Sequence, residues 1–261
     1  MELKFKKDLL VSIPTLDSPL QIDIKHKLKG PERLDRTLKM LYDQCKSKNN
    51  FNVQVIINDH QIEIYKKITD KWNIRPTIIK FDQSWKNLIK AQNDEMKKGD
   101  YYFFVFFPDD MYGLSKNWDT QIISKKKYFK DDLFVLFSKY DNWGRKPSKL
   151  DDCYLSPSDA FDSFEQNPVW TYKFGEFIYE LFEEYDHDKG REMLIAIILH
   201  LLNKKGYNRH VESDLNYIEL VCLQNKGGKD FPKIKKLIKN KCEELNIIVE
   251  NMVKYIKWQE N

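Results

Sequence analysis

The residues best placed to do chemistry are Asp109 and Asp110, adjacent carboxylates that follow the unbroken run YYFFVFF and a proline. A continuous apolar run of that kind, bounded by turn residues, suits a strand buried on both faces. The two acids then leave the carboxyl end of a central strand, the edge at which open α/β sheets bind ligands. Side by side they repel each other unless a cation lies between them, so a divalent metal with hard oxygen ligands is the economical explanation. The plain alternative is a solvated turn, the usual fate of an Asp-Asp pair in a chain that is 32% charged. Against it stands the cost of ending a buried strand in an idle acidic pair.

The elements that must position this pair are legible from the pattern. Residues 9–15 (LLVSIPT) read as a first strand, and Gly30-Pro31 opens a helix whose face carries Leu34, Leu38, Leu41 and Cys45. Residues 51–59 (FNVQVIIND) form a second strand, 61–70 a helix, 75–81 a third strand, and 85–98 a helix stopped by Gly99. The strand of the aspartates comes next. This β-α alternation predicts a mostly parallel sheet with helices on both faces. Right-handed crossovers bring all the strand ends to one edge. Thr15, Asp59, Asp82 and Asp109/Asp110 therefore converge on one crevice, although they are far apart in the chain.

Farther on, 118–128 predicts a helix and 133–138 a strand, followed by an irregular stretch from 139 to 171 that holds Trp143, Phe161 and Trp170. Long loops inside a compact domain often bind ligands. These aromatics and Tyr172 are candidates for an acceptor platform, with a place in the core as the alternative. Helices are expected over 174–184 and 189–203, the second ended by Gly206, then a short strand over 207–211. Residues 231–258 read as a long amphipathic helix, its stripe running from Ile234 to Ile256, able to dock on the domain or to pair two copies as a homodimer. The division that follows is a first half over 1–140, a second half of the same domain over 141–225, and a C-terminal helix over 226–261.

Composition narrows the function. Net charge is +4 and the basic residues are mostly lysine, with Arg33, Arg36, Arg75, Arg145, Arg191 and Arg209 as the arginines. Acids are interleaved with them almost everywhere, which weakens a purely electrostatic nucleic-acid footprint. Cys45, Cys153, Cys222 and Cys242 make no CxxC pair and suit a reducing compartment. The opening MELKFKKDLL has no signal-peptide core, and the longest apolar helical run, 193–202, is about half a membrane span. The expectation is a cytoplasmic protein with no membrane span.

VSIPT, a helix containing Arg33, VIIND, a helix carrying Ala91-Gln92-Asn93 before Gly99-Asp100, and FVFFPDDM together resemble the N-terminal half of a GT-A glycosyltransferase of the family 2 type. The resemblance covers about the first 140 residues and extends loosely beyond them. It implies the GT-A (Rossmann-like) fold with a C-terminal helical extension. It also implies a nucleotide-sugar donor, a UDP-sugar first, with Mn²⁺ or Mg²⁺ as cofactor and a hydroxyl acceptor such as a glycan; DNA as the acceptor is a mixed reading, in which Lys125–Lys127 and the lysines of 229–241 position it. Pro14, Thr15, Arg33, Asp59, Asn93 and Asp109 take the nucleotide-binding positions, and Asp110 takes that of the metal-binding aspartate. The sequence xDD matches the family's DXD only in part. In the second half, Glu192 resembles the family's catalytic base, with Asp188 and Glu176 as rivals, and His210 falls where a metal-binding histidine could. The family resemblance favours inversion at the sugar.

Two other classes fit less of the sequence. A nucleotidylyltransferase uses a similar sheet but needs a glycine-rich, arginine-bearing loop after the first strand, where this chain has Thr15-Leu16-Asp17-Ser18. A nucleic-acid-binding module would use Lys125–Lys127 and the lysines of 229–241 for phosphate contacts.

Overall fold

The computed structural model describes residues 5–15, 28–81, 86–109, 111–126, 128–140, 168–183, 188–216, 218–219 and 242–260. Its first half alternates as the sequence predicts: β1 (Lys7–Pro14), α1 (Gly30–Gln44), β2 (Phe51–Asn58), α2 (Ile62–Lys71), β3 (Thr77–Ile79), α3 (Lys86–Met96) and β4 (Tyr101–Phe106). There follow β5 (Met111–Tyr112), α4 (Trp118–Ile123), β6 (Val135–Tyr140), β7 (Val169–Thr171), α5 (Tyr172–Glu183), α6 (Asp188–Lys204), β8 (His210–Asn216), β9 (Ile218–Glu219) and α7 (Cys242–Glu260).

Among the described residues, seven strands form one sheet in the order β3-β2-β1-β4-β7-β6-β8, and β5 pairs with β9 as a separate ribbon. β1, β2, β3 and β4 are parallel, as are β6 and β8; the three-residue β7 runs antiparallel between β4 and β6. This is a GT-A type, Rossmann-like α/β sheet with a C-terminal helix. Leu9, Leu10, Val11 and Ile13 of β1 and every residue of β4 are buried, because helices cover both faces. Successive crossovers β1-α1-β2 and β2-α2-β3 move outward in one direction and keep their helices on one face. α3 returns the chain past β1 and lies on the other face, where Gln92 Nε2 donates to Ser12 Oγ of β1 (3.0 Å).

Several boundaries differ from the sequence reading. The third strand contracts to Thr77–Ile79 at the sheet edge, where Ile78 is exposed. The helix expected over 118–128 ends at Ile123 and continues as single turns through Lys126. The last strand is not 207–211 but His210–Asn216. β7 lies in the stretch that the sequence pattern gives as irregular, since three residues between a proline and a helix show no period. The helix stops were legible. Gly206, at φ +87°, closes α6 with paired bonds from Gly206 N to Asn203 O and from Tyr207 N to Leu202 O, a Schellman end.

Of the C-terminal helix, residues 231–241 lie outside the described residues. The described part, α7, buries Leu245, Val249, Met252, Val253 and Ile256 against α5 and α6 of the same chain. The described part of the apolar stripe, from Leu245 to Ile256, is thus covered within the chain.

Polar anchors hold the layers. Asp119, wholly buried at the start of α4, accepts from Lys46 N (2.7 Å), Ser47 N (3.0 Å) and Asn50 Nδ2 (2.7 Å), tying α4 to the turn before β2. At the opposite end of the sheet from the crevice, Tyr102 donates to Asp132, which sits in the left-handed region at φ 56°. Burial pushes the Asp132 carboxyl above its ordinary value; the Tyr102 hydroxyl opposes this, and the nearby Asp131 adds to it. An acid whose folded value is raised keeps its proton longer when folded, so its contribution is most favourable below the unfolded value and is lost as pH rises through the folded one. Asp132→Asn, which tolerates this backbone, is expected to raise the melting temperature at pH 7. The gain should vanish toward pH 4, as followed by thermal denaturation across that range.

Candidate active site

The strand order reverses at β1: the chain winds outward to β3, then α3 places β4 on β1's other side. The crevice outside the carboxyl ends of β1 and β4 is the switch point, where open α/β sheets take ligands. Thr15 follows β1, and Asp109 follows β4. Thr15 N donates to Ile56 O (3.1 Å), which extends the parallel ladder, and its Oγ1 donates to Asp109 Oδ2 (2.8 Å). α1 presents Arg33, Arg36 and Thr37 on one face, at spacings of three and four residues. Arg33 Nε lies 3.6 Å from the same Asp109 oxygen, with side-chain exposures of 1% and 4% for the two partners. Arg36 Nη2 (3.2 Å) and Thr37 Oγ1 (3.1 Å) both donate to the Asp109 carbonyl.

Asp109 is therefore held inside the wall of the crevice, its carboxylate against a hydroxyl and a guanidinium. The topology predicted that Thr15 and Asp109 meet at one crevice, which they do, and the structure puts Arg33, named through the family resemblance, beside them. Sequence reasoning missed Arg36 and Thr37, although their spacing from Arg33 was readable.

One strand over, Asp59 begins a single 3₁₀ turn after β2 and is half exposed. Its Oδ1 accepts from His60 N (2.9 Å) and Phe81 N (3.4 Å). The Phe81 amide is the main cause holding this carboxyl below its ordinary value. The His60 ring meets the exposed Phe81 ring edge-on at 5.0 Å. Asp59, His60 and Phe81 thus set a carboxylate beside an exposed aromatic ring. Pro14 closes β1, paired with Ile56 of β2.

Other expected residues lie elsewhere. Asn93 is buried in the contact between α3 and α5, donating to Tyr179 O (3.0 Å) and Glu183 Oε1 (3.2 Å). His210 opens β8 opposite Val135, three strands from β4 and level with Phe104, well below the strand ends. Its Nδ1 meets Asn208 Oδ1 (3.1 Å), and its ring lies 5.6 Å from that of Phe137. The structure does not bring it to Asp109. Trp170 stacks on Phe104 at 4.4 Å and is 2% exposed, so it belongs to the core and not to an acceptor platform. Tyr172 packs with Phe5 and Tyr102 at the other end of the strands. Glu176 is exposed on α5 and paired with Lys173. Asp188 and Glu192 lie in the first turns of α6; their side chains, like Asp82, Asp110, Trp143 and Phe161, lie outside the described residues.

Among the described residues no group of three or more His, Cys, Asp or Glu side chains is placed to hold a metal ion. The one acid of the pair that is described, Asp109, faces Arg33. Among the described residues no helix is long and apolar enough to cross a membrane.

No protein-family model matches the chain, and no curated protein matches it by sequence. Solved structures do match in fold. S. aureus TarS, a GT-A family 2-like glycosyltransferase, is 17% identical with a TM-score of 0.54, covering 90% of this chain and 39% of TarS. Its fragment 1–349 is 18% identical with a TM-score of 0.53, covering 88% of this chain and 64% of the fragment. This chain thus spans less than two thirds of either. The 4-diphosphocytidyl-2C-methyl-D-erythritol synthase of Anaerococcus prevotii is 11% identical with a TM-score of 0.50, covering 90% of this chain and 97% of that one. At such identities the likeness is one of fold, a fold that glycosyltransferases and nucleotidyltransferases share.

Proposed function

We propose that this chain is a glycosyltransferase that moves a sugar from a nucleotide-sugar donor to a hydroxyl acceptor. The observation that supports this most is the Thr15–Asp109–Arg33 cluster at the switch point between β1 and β4, one strand from the half-exposed Asp59. The Asp59 carboxylate suits the imide N–H of a uracil, with Phe81 beside the base, which favours a UDP-sugar. Arg36, half-buried beside the Arg33–Asp109 pair, places positive charge at the crevice, where a leaving diphosphate develops negative charge. Mn²⁺ or Mg²⁺ enters this reading through Asp110 alone, with the diphosphate and water as the remaining ligands; when bound it would act as a Lewis acid. Glu192, with Asp188 as its rival, is the proposed base for the acceptor hydroxyl, and inversion is the expected outcome. The acceptor is a glycan hydroxyl or a modified nucleic-acid base; affinity that falls steeply with salt would mark the second.

The test is a thermal-shift panel of UDP, GDP, CMP, TDP and CTP, each with Mn²⁺, Mg²⁺ or EDTA. A nucleotide at 100 times its dissociation constant stabilises by about 2.7 kcal/mol, roughly 5–10 °C for a chain of this size. The expected result is a shift with UDP and Mn²⁺ that disappears in Asp59→Ala and Asp110→Asn. A shift with CTP alone would favour the nucleotidyltransferase reading, which the extent of the synthase match supports and the glycine-free turn after β1 opposes. Silence with every nucleotide would end the transferase reading.

A further inference from the structure

We infer that Thr37 and Arg36 are positioning residues of the active site: from α1 they fix the peptide group that joins Asp109 to Asp110. The carbonyl of Asp109 and the amide nitrogen of Asp110 belong to one planar unit. Thr37 Oγ1 (3.1 Å) and Arg36 Nη2 (3.2 Å) both donate to that carbonyl, which has two lone pairs with which to accept them. The side chain of the same residue is held by Thr15 and Arg33. Residue 109 is thus gripped at its carboxylate and at its carbonyl by groups from β1 and α1, and the plane that launches residue 110 is set by the helix.

Thr37 is an unusual choice for this place. A threonine is a poor helix former, and inside a helix its hydroxyl normally turns back to the carbonyl one turn earlier. Here it is fully buried and its hydroxyl donates to a carbonyl 72 residues along the chain. A packing role alone would be met by valine, which has the same shape. The hydroxyl is explained by the peptide it holds.

The inference rests on the glycosyltransferase reading for its purpose but not for its test. In the full chain, Thr37→Val removes one donor, and Thr37→Ser keeps it. Amide hydrogen exchange of the segment around 108–112 is expected to speed up in Thr37→Val and not in Thr37→Ser, with the rest of the sheet unchanged. UDP affinity in the presence of Mn²⁺, measured by calorimetry, is expected to weaken about fivefold in the valine variant, the size of one lost hydrogen bond, and to return with serine. Unchanged exchange in this segment, or equal losses in both variants, would overturn the inference. If wild type binds no nucleotide, the functional reading fails, and the exchange experiment alone still decides the role of Thr37.

Discussion

Asp109→Asn is expected to lower the free energy of unfolding by about 3 kcal/mol, roughly 6–10 °C in melting temperature, with no nucleotide present. Asp109, expected from the family resemblance to contact the nucleotide, has its carboxylate in a buried ion pair. Its side chain is 4% exposed and faces a guanidinium that is 1% exposed. Asparagine can still accept from Thr15, so the loss falls on the charge opposite Arg33. A buried charge deprived of its partner costs several kcal/mol, far more than a surface pair contributes. Arg33→Met should cost a similar amount, and the double variant less than the sum, because each single change strands the other group. Chemical denaturation of the four proteins measures this coupling. If instead Asp109→Asn melts like wild type and loses only nucleotide binding, the carboxylate serves the donor as a nucleotide contact and not the fold.

How much could be read in advance follows from which physical signals are local. β1, β2 and β4 were legible because strands buried on both faces are long apolar runs with acids or turns at their ends, and the glycines at 99 and 206 mark the helix ends they cap. Strand ends share an edge by topology alone, so the meeting of Thr15 and Asp109 could be inferred without knowing a single contact. What could not be inferred is that the Asp109 carboxylate turns inward. That is decided by Arg33 and Thr15, contributed from 76 and 94 residues away, and no local pattern carries it. Asn93 shows the converse: its place in a family-like string suggested the crevice, while α5, packed on α3, claims its amide. β7 and the edge of the sheet at His210 depend on long-range pairing alone, and there the pattern failed.

Breaking the buried pair of Arg209 and Asp131 is expected to be as damaging as any change at the crevice, and to leave the crevice working. Arg209 Nη2 lies 2.8 Å from Asp131 Oδ2 with both side chains 7% exposed, and its guanidinium sits 4.4 Å from the centre of the Phe129 ring. The other oxygen of Asp131 accepts from Leu133 N (2.9 Å), its carbonyl accepts from Tyr255 of α7 (3.1 Å), and Arg209 O accepts from Val135 N (3.0 Å). The pair therefore joins the entries of β6 and β8 to the C-terminal helix. Arg209→Met should cost about 3–5 kcal/mol, since it leaves a buried carboxylate without its counter-charge. Arg209→Met with Asp131→Asn should recover most of that, because asparagine keeps the acceptor for Leu133 and leaves no naked charge. Both residues precede parallel strands and so lie at the edge opposite the crevice. The path from them to the site runs up β8 to β9, where Glu219 pairs with Met111 beside the aspartates. If that path transmits only global stability, nucleotide affinity measured well below the melting midpoint stays within about twofold of wild type, whereas a larger loss in the folded variant would show that the register of β8 and β9 also sets the site.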